Sequence, residues 1–149
     1  MLNPDFRDIL SLFNEEKVDY LVVGAYALAF HGLPRATGDI DLWVRCSDEN
    51  AFRIWQALTR FGAPLSGVSV DDFTTSGMVV QVGVAPRRID VLTAIDGVEF
   101  DSAIRERELA ELDGLTVPIL SRRHLVQNKR AAGRPKDEAD LAFLEQTEI

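Results

Sequence analysis

The sequence has a single cysteine, Cys46, and only two histidines among its 149 residues. One cysteine excludes an internal disulfide, and it also excludes a zinc site built from several cysteines. No apolar run approaches the roughly 20 residues that a membrane-spanning helix needs. The N-terminal segment lacks the basic start and apolar stretch of a signal peptide. These absences predict a cytoplasmic protein that does not associate with the membrane.

Basic residues are fewer than acidic ones, and the net charge of −8 argues against a protein that coats nucleic acid. The charge is unevenly spread, because residues 115–136 contain no acidic side chain. We call the basic residues of this segment the basic strip: Arg122, Arg123, Lys129, Arg130, Arg134 and Lys136. Such a strip suits a phosphate-bearing ligand, although a solvated helix face explains its members equally well.

The remaining composition, 46% hydrophobic and 27% charged, is that of a globular protein, and the length predicts one domain over residues 1–149. Apolar periodicity predicts helices over residues 5–17, 25–30, 48–60, 100–106 and 122–132, and a last helix after Pro135. Ser47 and Ser121 are placed to cap two of these helices. The helices from about residue 121 are expected to pack on the rest of the domain.

Short apolar runs predict strands over residues 19–24, 39–45, 78–84 and 88–92. Asp113-Gly114 is typical of a two-residue turn, and it predicts a hairpin of residues 107–112 with residues 115–120. The mixture of strands and helices predicts an α/β (α+β) fold with a mixed β-sheet flanked by helices.

Acidic residues interrupt two of the predicted strands. In the stretch GDIDLWV, Asp39 and Asp41 are one residue apart, so a strand directs both side chains to the same face. Asp90 lies in a second strand, with apolar neighbours on both sides. Carboxylates this close repel one another and are costly to bury unpaired, and a divalent cation is a common compensation.

Three carboxylates from two strands can hold two Mg²⁺ ions, which prefer oxygen ligands and substrate phosphates. Two-metal sites of this kind catalyse in-line displacement at phosphorus. Gly24, where a strand gives way to a helix, offers a backbone N–H group to a phosphate. Arg88 shares the face of Asp90 by the period of two, so it is predicted to pair with Asp90 or to reach a phosphate. Trp43 is predicted to lie in the core on the opposite face from the metals.

The order of Gly24, Asp39-x-Asp41 and Asp90 resembles that of the polymerase-β-like nucleotidyltransferase superfamily. The stretch YLVVGAYALAFHGLPRATGDIDLWV and the tail SRRHLVQNKRAAGRPKDEADLAFL are similar to a branch of small, stand-alone bacterial members. That branch resembles the nucleotidyltransferase toxins of abortive-infection type. The resemblance covers about residues 20–144, and it implies the nucleotidyltransferase fold.

The resemblance also implies roles for individual residues. Asp39, Asp41 and Asp90 would bind two Mg²⁺ ions, with Mn²⁺ as a substitute, and Asp90 would help to deprotonate the acceptor hydroxyl. Lys129 would contact the triphosphate or stabilise charge on it, and Asp140 would orient Lys129. The nucleotide phosphates would lie against a set made of Gly24, Ala25, Arg35, Arg88 and Lys129.

The implied activity is the transfer of a nucleoside monophosphate from an NTP such as ATP to an acceptor hydroxyl, with release of pyrophosphate. The acceptor would be a tRNA end, a protein hydroxyl or a small molecule such as an aminoglycoside, and a cognate antitoxin or toxin partner is implied as well. The alternative is a degenerate member that binds a nucleotide or a partner without catalysis. Ala25 favours it, because the superfamily usually has Ser or Gly there. A DxD glycosyltransferase is disfavoured by the small size and the third aspartate.

Overall fold

The strands form one mixed sheet in the computed structural model, which describes residues 2–34, 38–83 and 87–146. In chain order they are β1 (Tyr20–Val23), β2 (Ile40–Val44), β3 (Val79–Val82), β4 (Ile89–Leu92), β5 (Glu108–Leu112) and β6 (Leu115–Ile119). They lie side by side in the order β3-β4-β2-β1-β6-β5. The β1–β6 and β2–β4 pairs are parallel, and the β1–β2, β3–β4 and β5–β6 pairs are antiparallel. The predicted mixed sheet and the Asp-Gly hairpin are therefore confirmed.

Each predicted helix is present, with bounds shifted by at most two residues. The helices are α1 (Pro4–Glu15), α2 (Gly24–Phe30), α3 (Asp48–Phe61), α4 (Phe100–Arg105), α5 (Arg122–Ala132) and α6 (Pro135–Gln146). A short 3₁₀ helix, Val70–Phe73, was not predicted. It inserts Phe73 into the core, and a single turn is too short to show a helical period in the sequence.

Side-chain caps explain where three of the helices begin. The Asn3 side chain accepts a hydrogen bond from the N–H of Asp5 at 2.8 Å at the start of α1. Ser47 accepts one from Asn50 at 3.1 Å, and Ser121 accepts one from His124 at 3.2 Å. Both predicted serine caps are confirmed, and each cap of this kind contributes about 1 kcal/mol.

The sheet carries a layer of helices on each face. One core contains the apolar side of α1 and α3 together with Ile40, Leu42 and Val44 of β2. The second core contains residues of α4, α5 and α6 together with Val23 and Trp43. α2 contributes to both cores, because it leaves the end of β1 at the rim of the sheet.

The position of Trp43 corrects one prediction. Residues 39, 41 and 43 are two apart, so their side chains share one face of β2. Trp43 accordingly packs in the second core, on the face of the aspartates and not on the opposite one. The carboxylates and the helices α4 to α6 therefore lie on the same side of the sheet. No helix in the described parts of the chain is both long and apolar enough to span a membrane.

Candidate active site

Asp41 and Asp90 lie side by side on neighbouring parallel strands. The register of β2 and β4 pairs Asp41 directly with Asp90. Asp41 is half-buried, and Asp90 is only 7% exposed. Directly paired residues on adjacent strands share a face, so the two side chains are neighbours on that face. The predicted convergence of carboxylates from two strands is present in the fold.

The surroundings of Asp41 favour its protonated form. Burial raises the pKa of Asp41 to about 6, and the charge and hydrogen bond of Asp90 act in the same direction. Asp39 adds a smaller repulsion, which the nearby guanidinium of Arg88 partly opposes. A cation brought to this cluster would relieve the repulsion, so the carboxylates fit a hard divalent ion in both charge and ligand type.

Arg88 lies between two of the carboxylates. Its Nε donates to Oδ1 of Asp90 at 2.7 Å, and its Nη2 donates to Oδ2 of Asp90 at 3.1 Å. The same Nη2 is 3.1 Å from Oδ2 of Asp39. The predicted pairing of Arg88 with Asp90 is confirmed. Within the described residues, no group of three or more His, Cys, Asp or Glu side chains is preformed to hold a metal ion. Arg88 occupies carboxylate oxygens of Asp39 and Asp90 that a metal ion would also use.

Gly24 is in direct contact with the Asp41 carboxylate. Val23 pairs with Asp41 across β1 and β2, so the next residue of the chain reaches the carboxyl group. A Cβ atom on Gly24 would lie 2.1 Å from Oδ2 of Asp41, and the φ of Gly24 is +68°. Only glycine fits this backbone and this space. Ala25 follows as the second residue of α2 and is half-buried.

Two residues complete the description of the cluster. Arg35, a predicted phosphate ligand, lies outside the described residues. Gln81 was not predicted; it pairs with Asp90 across β3 and β4, and its side chain is exposed on the same face. Its position depends on the strand register, which no local pattern in the sequence indicates.

No family model matches this sequence, and neither does any curated protein. Solved structures do match in fold. A Thermotoga maritima protein with a provisional description as a nucleotidyltransferase has a TM-score of 0.63 at 19% identity, covering 98% of this chain and 96% of its own. The lincosamide antibiotic adenylyltransferase LnuA, bound to lincomycin, has a TM-score of 0.59 at 14% identity, covering 97% of both chains. ANT(2")-Ia in complex with adenylyl-2"-tobramycin has a TM-score of 0.61 at 14% identity, covering 95% of this chain and 86% of its own.

The chain has a nucleotidyltransferase fold. The predicted fold class is confirmed. At sequence identities of 14% and 19%, the similarity to these structures shows the fold alone, so the roles of individual residues remain predictions.

The C-terminal helices of this nucleotidyltransferase fold bury Lys129, which is 6% exposed. Its Nζ lies 3.1 Å from Oδ1 of Asp137 and 3.2 Å from Oδ2 of Asp140. The predicted pairing with Asp140 is confirmed, whereas Asp137 was missed. Arg134 also binds Asp137, at 2.7 Å, and its hydrogen bonds lower the pKa of Asp137 well below the usual range. The i, i+3 spacing of the two aspartates on one helix face was the available signal.

Lys129→Met is expected to lower the free energy of unfolding by about 3 kcal/mol or more, because it removes the buried cation that both aspartates share. Urea denaturation at pH 7 measures the change. Lys136→Met, at an exposed lysine of α6, is the matched control and should change stability by less than about 0.5 kcal/mol. Equal stability of the two variants would mean that the buried ion pairs do not hold α5 against α6.

The basic strip does not form an open cationic surface. Most of its members are engaged by other parts of the chain, so the strip offers little free charge to a polyanion. Its contacts are Arg122 with the carbonyls of His31 and Leu144, Arg123 with Glu106, Lys129 with Asp137 and Asp140, Arg130 with Glu145, and Arg134 with Asp137. Lys136 is exposed. Fewer residues of the basic strip are therefore available to bind a phosphate than the sequence predicts.

Proposed function

We propose that this protein is a metal-dependent nucleotidyltransferase that moves a nucleoside monophosphate from an NTP to an acceptor hydroxyl. The observation that carries the proposal is the paired position of Asp41 and Asp90 on adjacent strands, with the Asp41 carboxylate directly against Gly24. The raised pKa of Asp41 supports it, because a cluster that repels its own charge is suited to bind a cation.

Asp39, Asp41 and Asp90 would hold two Mg²⁺ ions, or Mn²⁺ in their place. When bound, the ions would neutralise the triphosphate and lower the pKa of the attacking hydroxyl. Asp90 would accept the proton of that hydroxyl. The hydroxyl oxygen forms a bond to the α-phosphorus, while the bond from this phosphorus to the bridging oxygen of the β-phosphate breaks, and pyrophosphate leaves.

The chain's own groups would position the nucleotide. The backbone N–H groups of Gly24 and Ala25, at the start of α2, would donate to phosphate oxygens. Arg88 would leave the carboxylates and bind the triphosphate when the metal arrives, since one guanidinium and a metal ion compete for the same oxygens. For Lys129, the contacts favour holding α5 on α6 over direct contact with phosphate.

A small-molecule hydroxyl is the acceptor that we favour. The solved structures of similar fold include enzymes bound to lincomycin and to an adenylylated tobramycin, both small molecules. The internal pairing of the basic strip and the net charge of −8 weaken the case for RNA. If the acceptor is instead a tRNA end or a protein hydroxyl, we would expect the protein to act together with a cognate antitoxin or toxin partner.

The test is the melting temperature with each NTP, with and without Mg²⁺, for the wild type and for Asp39→Asn/Asp41→Asn. A ligand at 100 times its Kd stabilises the native state by about 2.7 kcal/mol. We expect a Mg²⁺-dependent increase that the double variant lacks. No increase with any nucleotide, in a folded sample, would reject the proposal.

The second candidate is a catalytically degenerate member that binds nucleotide only. Ala25 is the residue that favours it, because alanine cannot supply the hydroxyl contact of a serine. The two candidates differ in one product. Pyrophosphate release on incubation with NTP, Mg²⁺ and a panel of hydroxylated acceptors supports the enzyme, whereas nucleotide binding without pyrophosphate supports the binding protein.

Arg88→Gln is expected to separate metal binding from nucleotide binding. Without the guanidinium, Mg²⁺ alone should stabilise the protein more than it stabilises the wild type, because the ion no longer competes with Arg88. Affinity for the Mg²⁺–NTP complex should fall about tenfold or more, since a hydrogen bond to a charged group is lost. Isothermal titration calorimetry measures both quantities.

Arg87→Gln is the matched control for Arg88→Gln. Arg87 is the preceding residue and is exposed at a bend before β4 begins, and no described hydrogen bond or ion pair joins it to the carboxylates. It should change neither affinity. If Arg88→Gln instead weakens Mg²⁺ binding, Arg88 organises the carboxylates for the metal and does not compete with it.

A further inference from the structure

β5 is an edge strand of the sheet, and within the described residues it pairs with β6 alone. The N–H of Leu120 donates to the carbonyl of Val22 in β1, and the carbonyl of Thr116 accepts from a side chain of α1. The even residues of β6 therefore point away from β5, and its odd residues bond to the even residues of β5. The main-chain groups of Leu109 and Glu111 consequently point outwards from the sheet.

The odd side chains at this edge form a row with opposite charges at its two ends. Arg107, Leu109 and Glu111 are all exposed, and Leu109 leaves 59% of its surface open. Arg107 and Leu109 line one groove with Thr116 and Pro118 of β6. Glu111 is opposite Thr116 in the hairpin, so its side chain is on the same face. We call Arg107, Leu109 and Glu111 the edge row: a cation, an apolar side chain and an anion.

Neither charge of the edge row is neutralised by a described residue. The guanidinium of Arg107 donates to the carbonyl of Ile104 at 2.8 Å. The carboxylate of Glu111 accepts from the neutral hydroxyl of Thr116 at 2.6 Å. A guanidinium has five N–H donors and a carboxylate has about four acceptor positions, so both groups can bind a further partner.

We propose that β5 pairs antiparallel with β5 of a second copy of this chain, across a two-fold axis at Leu109. Leu109 then packs on Leu109 of the second copy. Arg107 is opposite Glu111 of the second copy, and Glu111 is opposite its Arg107, so the edge row is complementary to itself. The outward main-chain groups of Leu109 gain hydrogen bonds in the same arrangement, and the two sheets become one continuous sheet.

The charges select this register among those that the outward main-chain groups allow. An axis at Glu111 would place Glu111 against Glu111 of the second copy, and like charges directly opposite destabilise a sheet. An axis at Ala110 would place Glu111 against Leu109, which gives the carboxylate no cation. Arg107 would then be opposite Asp113, whose carboxylate already accepts from a main-chain N–H at 2.7 Å. β3, the other edge strand, has no charged residue to set a register.

The interface is separate from the candidate active site. The carboxylate cluster is on β2 and β4, and both β1 and β6 lie between these strands and β5. The inference therefore goes beyond the proposed function and does not depend on it.

Sedimentation of the full chain between about 1 μM and 1 mM tests for the dimer. One strand edge buries less than the roughly 1,600 Å² of a standard interface, so we expect a weak monomer–dimer equilibrium. Leu109→Arg should abolish it, because two guanidinium groups would meet at the two-fold axis. Leu109 is exposed, so this variant should keep the fold and the stability of the monomer.

Charge exchange tests the register. Arg107→Glu and Glu111→Arg should each weaken the dimer about tenfold or more, because each creates two like-charged pairs across the interface. An equimolar mixture of the two variants should associate again, since every Glu of one then meets an Arg of the other. The double variant Arg107→Glu/Glu111→Arg should also recover the dimer. Lys136→Glu, at an exposed lysine of α6, changes the net charge equally and should leave association unchanged.

Three results would overturn the proposal. One is a wild-type chain that stays monomeric up to about 1 mM. Another is a dimer that Leu109→Arg leaves intact, because its interface would be elsewhere. The third is a mixture of the two charge variants that stays monomeric, because Arg107 and Glu111 would then not be opposite each other. Loss of Mg²⁺–NTP binding in an Asp41 variant would affect none of these results, so the two proposals fail independently.

Discussion

Asp41→Asn is expected to make the metal-free protein more stable at pH 8 and to abolish its Mg²⁺-dependent stabilisation by NTP. In the native state, burial, Asp90 and Asp39 raise the pKa of Asp41 to about 6. The native state therefore binds this proton more tightly than the unfolded chain does. The contribution of Asp41 to stability is therefore fully present below about pH 4, falls as the pH rises from about 4 to 6, and is lost above that.

The expected gain follows from the size of the pKa shift. A rise of about two pKa units lowers the free energy of unfolding by roughly 3 kcal/mol once Asp41 is ionised. Asn carries no charge, so the variant should not lose this stability above pH 6. At pH 4 the variant and the wild type should be nearly equal in stability. Urea denaturation in EDTA at pH 4 and pH 8 measures both differences, and thermal shift with Mg²⁺ and NTP measures the loss of the ligand effect.

Asp8→Asn is the control, since Asp8 is an exposed aspartate on α1. It should alter neither the pH dependence nor the nucleotide effect. An Asp41→Asn variant that is less stable than the wild type at pH 8 would mean that Arg88 stabilises the ionised carboxylate more than burial and repulsion destabilise it. The wild type is thus expected to be less stable than the Asn variant because it keeps a functional carboxylate in a crowded site.

Gly24→Ala is expected to cost both stability and nucleotide binding. The added Cβ would lie 2.1 Å from Oδ2 and 3.0 Å from Cγ of Asp41, so the carboxylate must move or the end of β1 must shift. The φ of +68° adds about 1 kcal/mol for any residue other than glycine. We expect the Mg²⁺-dependent NTP shift to be lost, because Asp41 can no longer occupy its position beside Asp90.

Gly67→Ala separates the two causes. Gly67 has a φ of +80°, and a Cβ there would meet nothing within 4 Å. It therefore imposes the backbone strain without the collision. Gly24→Ala should be less stable than Gly67→Ala by about 1 to 3 kcal/mol, which is typical of overpacking. Equal stability of the two, with NTP binding retained in both, would show that Asp41 can move without consequence and that Gly24 is needed only for its backbone conformation.

Local patterns were sufficient for much of the fold. Helix periodicity, the caps at Ser47 and Ser121 and the Asp113-Gly114 turn depend on residues a few positions apart, and all are present. The shared face of Asp39 and Asp41 is likewise a local property, because side chains alternate along any strand. The prediction for Trp43 was wrong because this residue is two positions after Asp41, and the same alternation puts both side chains on one face.

Contacts between distant segments decided the rest. The pairing of Asp41 with Asp90 requires β2 and β4 to be neighbours in one register, and a shift of one residue would turn Asp90 to the other face. In the basic strip, Arg123 is paired with Glu106 and Arg130 with Glu145, and each glutamate is at least 15 residues away in sequence. The resemblance implied roles for the site residues, while it carried no information about these partners.

By itself, the sequence determined which residue types lie on which strand or helix, because side-chain periods and caps are set within one or two turns of chain. Only the tertiary structure decided that Arg88 bridges two aspartates, that Gly24 touches a third, and that Lys129 is buried between two acids. Burial and neighbouring charge arise only when separate elements pack together. For that reason the raised pKa of Asp41 belongs to the fold and not to the DxD motif.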